Sequence, residues 1–229
     1  MNSSVMSVSG VFTTVENKWN GKYKAVDGSL HVVNTREGSF AYIAIGIVRG
    51  KIDGDKFTVD EIDHKEEYCE NCDAEERMRE LEYNEVLDDE VDIVFLDRKP
   101  SFDNFNKGRF ISIVKDPSTT IEYSGKTPWL IPAYEKNGIR GAYFKLFDFS
   151  WVFLVETNLK LDWGTVLSIL YTLGREPIAE ALGYNYPLFL ADKVAKYYRD
   201  REAKVLNLLV QDSYRGFRSL VERHRKGGI

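Results

Sequence analysis

At 229 residues, with 43% hydrophobic and 29% charged side chains, the chain is long enough for one large domain around a substantial core and is not disordered. No apolar run approaches the ~18 residues that a membrane span needs. The net charge of −5 excludes bulk attraction of nucleic acid, yet the charge is uneven: residues 53–92 are heavily acidic, and the C-terminal part is basic. There Lys193, Lys196, Arg199, Arg201, Lys204, Arg215, Arg218, Arg223, Arg225 and Lys226 offer a place for a phosphate backbone, against the simpler reading of solvated helix faces.

The opening Met1–Met6 lacks a basic region followed by an apolar one, so no secretory signal is expected and the cytoplasm is the expected location. Residues 22–27, 30–35 and 39–49 read as three strands of a meander, separated by Gly28-Ser29 and by Arg36-Glu37-Gly38. Cys69 and Cys72 form a lone Cys-Glu-Asn-Cys with His64 upstream, half a zinc site at most, and read best as two ordinary thiols in an acidic loop. The run Asp73–Asp89, free of Gly and Pro and rich in Glu, Leu, Met and Arg, predicts a helix.

Residues 92–97 are almost continuously apolar and predict a strand covered on both faces. A second strand follows at 109–115, ended by Asp116-Pro117-Ser118. Residues 141–148 and 151–157 read as a hairpin, with Trp151, Phe153 and Val155 on one face. Helices are expected at Trp163–Leu173, Glu176–Leu182, Pro187–Tyr198 and Glu202–Arg223. The order predicts a mixed α/β sheet with a helical C-terminal part: one domain over 1–229, sheet core about 20–160, helices about 161–229.

Two runs, Tyr23–Ser29 and Val91–Asp97, each carry an acid where a strand is expected to leave the core, at Asp27 and Asp97. Carboxylates on neighbouring strand ends could hold a divalent metal, although a turn aspartate and a helix-capping aspartate are the plainer readings. The helix offers Glu80, Glu82 and Glu85: Glu82 lies on the apolar side with Met78, Leu81 and Val86 and is the choice, Glu85 shares that face, and Glu80 points nearly opposite and stays a substitute. Asp192 falls in the second turn of a helix begun by Pro187, where an ordinary surface acid is the default. Lys115 ends its strand and is either a phosphate contact or a solvated lysine. Tyr184 and Tyr186 could stack on single-stranded bases or pack a loop. His31, His64 and His224 are too scattered for a catalytic dyad or a zinc site.

Taken in order, Val26-Asp27-Gly28-Ser29, Arg79-Glu80-Leu81-Glu82-Tyr83, Ile93-Val94-Phe95-Leu96-Asp97, Ser112-Ile113-Val114-Lys115 and Tyr184-Asn185-Tyr186-Pro187-Leu188 resemble the NurA family of archaeal and bacterial nucleases. The resemblance implies an RNase H-like fold and manganese-dependent DNA cleavage, with metal ligands at Asp27, Glu82 or Glu80, and Asp97. It also implies a homodimer working with the hexameric DNA-translocating ATPase HerA in end resection. Two departures stand out. Asp192 occupies the region where the family tends to show a histidine, which would give an all-oxygen site of four acids. Asp97 is followed by Arg98-Lys99-Pro100 where a Gly-containing turn is expected.

The expected function is therefore a Mn2+- or Mg2+-dependent deoxyribonuclease with two ions on Asp27, Glu82, Asp97 and Asp192, and Lys115 beside the phosphate. The alternatives are a non-catalytic RNase H-like module that binds DNA or an ATPase, and a zinc-stabilised interaction protein built on Cys69 and Cys72.

Overall fold

The structure is a computed structural model that describes residues 10–15, 18–35, 38–87, 90–115, 121–212 and 221–222. Chain order is β1 (Trp19–Thr35), β2 (Gly38–Gly54), β3 (Lys56–Glu70), α1 (Ala74–Val86), β4 (Ile93–Leu96), α2 (Pro100–Asp103), β5 (Phe110–Val114), β6 (Trp129–Lys136), β7 (Ile139–Lys145), β8 (Phe153–Thr157), α3 (Trp163–Gly174) and α4 (Tyr186–Asp212). The strands form one eight-stranded sheet in the order β3-β2-β1-β4-β5-β8-β7-β6. The β1–β4 and β4–β5 pairs are parallel and the rest antiparallel. This is the mixed α/β sheet flanked by helices expected of an RNase H-like fold.

The apolar run of β4 has a direct explanation in its two faces. Ile93 and Phe95 pack with Tyr23, Ala25, Trp163 and Leu188 on the α3/α4 side, while Val94 and Leu96 pack with Val26, Met78 and Val86 on the α1 side. Alternation along a central strand sends successive residues into two cores, so neither position can be polar. Each large side chain buried this way contributes about 1.5–3 kcal/mol. Helix α1 starts at Asp73, whose carboxylate accepts the Glu76 N–H at 3.0 Å; α3 starts at Asp162, which accepts the Thr165 N–H at 2.9 Å.

Several expectations are corrected. Gly28-Ser29 is not a turn: β1 runs unbroken through it, so Asp27 lies mid-strand rather than at a strand end. The acidic stretch after residue 55 is the long edge strand β3, whose charges suit an exposed edge. Strand β6 was not anticipated, because Pro132 interrupts it at a register shift; as a sheet edge it tolerates the missing donor. Trp151 precedes β8 and is 81% exposed instead of joining a strand face.

Residues 176–182 form turns in place of a helix, and the two helices expected after Pro187 are the single helix α4. Cys69 and Cys72 are joined in a disulfide rather than being free thiols, which removes the donors of the zinc reading. The expected Asp116-Pro117-Ser118 stop, His224, and the basic residues Arg215, Arg218, Arg223, Arg225 and Lys226 lie outside the described residues.

Candidate active site

The site sits in a fork of the sheet. Strands β1 and β4 pair from Tyr23↔Ile93 to Val26↔Leu96, and there β4 ends, whereas β1 continues to Thr35 with β2 as its partner. Asp27 and Asp97 are thus the first residues beyond the last pair, on adjacent parallel strands spaced roughly 4.8 Å. Ligands favour this location, outside the carboxyl ends of parallel strands.

Two glycines bring helices into the fork. A Cβ on Gly28 would lie 2.7 Å from Met78 Cγ and would collide with Glu82 Oε1, so only glycine lets α1 press Glu82 against β1. On the opposite face, Gly46 is the register partner of Asp27, and a Cβ there would stand 2.9 Å from the Ala191 carbonyl carbon. Helix α4 therefore crosses β2 in backbone contact one residue before Asp192. Its start is fixed by Asn185, whose side chain accepts the Leu188 N–H at 2.9 Å. Neither glycine has a local sequence signal, since the need for it comes from an element distant in the chain, α1 for Gly28 and α4 for Gly46.

The structure brings all five sequence-chosen residues together. Burial pushes the Asp27 carboxyl well above its ordinary range, and the negative charges of Asp97, Glu82 and Asp192 push the same way, against the Lys115 ammonium. Its Oδ1 accepts the Gly28 N–H at 2.8 Å, and the same backbone group reaches Glu82. Glu82 is 2% exposed and is also shifted upward, first by burial, with Arg98 opposing. Glu80 is not part of the cluster; it faces solvent and bonds Arg77 at 2.8 Å.

The three carboxylates around Asp27 each hold a cation. Arg98 Nε donates to Glu82 Oε2, Lys115 Nζ lies 2.6 Å from Asp97 Oδ2, and Lys196 Nζ lies 2.8 Å from Asp192 Oδ1. Burial works against the Lys115 charge, but Asp97, then Asp27 and Asp192, outweigh it and raise its pKa. Among the described residues no three His, Cys, Asp or Glu side chains stand close enough to form a ready metal cage. The donor set nonetheless fits a hard divalent cation: it is all oxygen, and a half-buried Asp27 crowded by three acids gains from a nearby positive charge.

Tyr184 takes the packing alternative of its two sequence readings and joins the site. Only 6% exposed, it cannot stack on a base; its ring lies 4.7 Å from Lys115 Nζ and 5.5 Å from the Phe153 ring. Its hydroxyl has no partner in ordinary hydrogen-bond geometry, and burial, followed by Asp97 and Asp27, holds its pKa far above the usual phenol value. Tyr186 packs against Phe57 and Phe189. The basic side chains of α4 are less available than their number suggests. Lys193 meets Glu180, Lys196 meets Asp192, Arg199 meets Asp200, and Arg201 meets Glu66.

Comparison with known proteins follows the same lines. The NurA domain model matches residues 101–197, a stretch that holds Lys115, Tyr184 and Asp192 and leaves Asp27, Glu82 and Asp97 upstream. The NurA nuclease from Sulfolobus solfataricus is similar in fold, with a TM-score of 0.62 at 15% identity over 93% of this chain and 88% of that one. Endonuclease V from Bacillus subtilis is similar at a TM-score of 0.50 and 17% identity, over 80% of this chain and 82% of that one. No curated protein matches. With a NurA-domain match over residues 101–197 and a NurA-like fold across the sheet, the resemblance to the NurA family read from the sequence holds.

Proposed function

We propose that the chain is a metal-dependent nuclease that hydrolyses DNA phosphodiester bonds, using Mn2+ or Mg2+, in two ions, at the fork between β1 and β4. The observation that carries this reading is the convergence of Asp97, Glu82 and Asp192 on the half-buried Asp27, beside a charged Lys115. Asp97, Glu82 and Asp192 each have a cation, and Asp27 between them costs stability unless something positive joins it. Asp27, Glu82, Asp97 and Asp192 would hold the ions. A divalent cation supplies there a more acidic water as nucleophile and positive charge for the leaving oxygen.

The chain's own residues divide the remaining work. Lys115 keeps its proton at neutral pH and meets the charge developing on the phosphate. Asp192, projecting from α4 over the register partner of Asp27, orients the attacking water through a hydrogen bond. The Tyr184 ring packs on one side of the Lys115 ammonium and helps hold it beside Asp97, while the rest of the lysine stays open to solvent and to a phosphate. The NurA resemblance extends the same proposal to DNA end resection and repair in the cytoplasm, as a homodimer with a HerA-type hexameric ATPase.

The test is cleavage of end-labelled single- and double-stranded DNA by the purified protein, with Mn2+ or with EDTA. Turnover with Mn2+, lost in EDTA and in Asp27→Ala and Asp97→Ala variants of unchanged circular dichroism, supports the reading. Turnover that survives either substitution overturns the site, and DNA binding without turnover favours a non-catalytic module.

A further inference from the structure

The loop after Asp97 gives Glu82 a companion that the nuclease reading does not use. Arg98 Nε donates to Glu82 Oε2, and this is the most buried of the three cation–carboxylate pairs: the side chains are 23% and 3% exposed, against 42% and 20% for Lys115–Asp97 and 49% and 17% for Lys196–Asp192. The backbone of Arg98 is pinned, its N–H to Ser112 Oγ at 3.2 Å and its carbonyl accepting from the same hydroxyl. Its guanidinium is not pinned in the same way, for it reaches the cleft from that fixed point and spends one donor on Glu82. Of the four carboxylates, Asp27 alone has no side-chain cation bonded to it among the described residues, so an ion entering beside Asp27 finds Glu82 occupied.

We propose that Arg98 is a resident counter-cation that neutralises Glu82 until a divalent ion arrives, and then turns its freed guanidinium to a substrate phosphate. The inference rests on the nuclease reading of this site. A guanidinium and a divalent cation compete for the same carboxylate oxygens. Once displaced, the guanidinium presents parallel donors that fit two phosphate oxygens, which a lysine cannot match. Ion uptake and DNA binding are then linked. DNA that engages Arg98 removes the competitor for Glu82 and tightens the ion, and by reciprocity the ion tightens DNA.

The experiment is calorimetric titration of Mn2+ into wild-type protein, Arg98→Ala and Arg98→Lys, each with and without a non-cleavable phosphorothioate oligonucleotide. Without DNA, Arg98→Ala should bind Mn2+ about tenfold more tightly than wild type, within the usual range of coupling between two ligands. Its affinity for the oligonucleotide should fall about tenfold, and the mutual effect of ion and DNA should shrink to what direct contact between ion and phosphate leaves. General damage would weaken both. Arg98→Lys retains the charge on Glu82 without the fork, so Mn2+ affinity should stay near wild type while DNA affinity falls; this variant carries the test if Arg98→Ala does not fold. Unchanged or weaker Mn2+ binding in a folded Arg98→Ala, or DNA affinity intact in both variants, overturns the proposal. A wild-type protein that binds no Mn2+, or binds it as well after Asp27→Asn, overturns the nuclease reading itself.

Discussion

Two carboxylates in one sheet, Glu156 fully buried and Asp27 half-buried, have opposite circumstances. Glu156 on β8 is fully buried, and its oxygens accept the Ser101 N–H at 2.8 Å, the Ser101 hydroxyl at 2.6 Å and the Tyr134 hydroxyl. Asp27 on β1 accepts one backbone N–H from its neighbour and otherwise faces three more acids and a lysine. Neutral donors satisfy the first without asking anything of solvent or ligand, and it serves to tie the turn after Asp97 to the sheet. The second is a charge concentrated against its own electrostatics, the arrangement that marks a site built for something not covalently part of the chain. Glu156 is the more deeply buried of the two and yet the one at rest; the partners decide.

Replacing each should break that contrast in opposite senses. Asp27→Asn should lower DNA cleavage on the order of a thousandfold, the scale of losing one charge-stabilising group in a preorganised site. It should also make the ion-free protein more stable at neutral pH, by about 1 kcal/mol or about 2–4 °C in Tm. The sign follows from linkage: with its folded pKa raised above the ordinary 3.8, Asp27 binds its proton more tightly folded than unfolded, so wild-type stability falls as pH climbs from that value through the raised one. The variant's advantage should therefore be absent near pH 3 and grow with pH, and Mn2+ should restore wild-type Tm without affecting the variant. Thermal melts across pH, with and without Mn2+, check it. Glu156→Ala should act the other way, stranding three donors and costing about 3 kcal/mol of stability, with cleavage reduced far less than by Asp27→Asn.

A smaller effect sharpens the comparison from the side of the ion. Asp27 and Glu82 must both lose protons that burial favours, so the acidic limb of the pH–rate profile at low Mn2+ should lie above the ordinary carboxylate range of about 4. Saturating Mn2+ should draw that limb to lower pH, since an ion competes with the protons. A limb that ignores Mn2+ concentration would mean that neither group titrates in the step observed.

How much of this was legible in the sequence depends on the range of the forces involved. Local signals were sufficient where one element decides: the β4 run, the Asp73 start of α1, the phase that turns Glu82 inward, and Pro187 near the start of α4. They failed where a distant element decides. Gly28 looks like a hairpin turn because glycine usually marks one, yet here it admits Glu82 from α1. The acids of β3 look like a loop because half-buried strands are seldom so charged, yet the strand pairs along most of β2 and takes the sheet edge. Arg98 was legible only as a departure from a turn; its pairing with Glu82 depends on packing between α1 and the end of β4.

The mildest change tests the helix phase on which the choice of ligand rests. Glu80 and Glu82 are two residues apart, about 200° around α1, so only one can enter the fork. Glu82 is 3% exposed at its side chain and bonded to Arg98, whereas Glu80 is 54% exposed and shares Arg77 with Glu67. Glu80→Gln removes one exposed ion pair, worth less than about 1 kcal/mol, and Arg77 retains Glu67. Cleavage and Mn2+ affinity should both match wild type within about twofold, while Glu82→Gln should weaken Mn2+ binding about tenfold or more. A Glu80→Gln variant that loses the ion would require α1 to rotate by half a turn, and with it Met78 and Val86 would leave the core they share with Leu96.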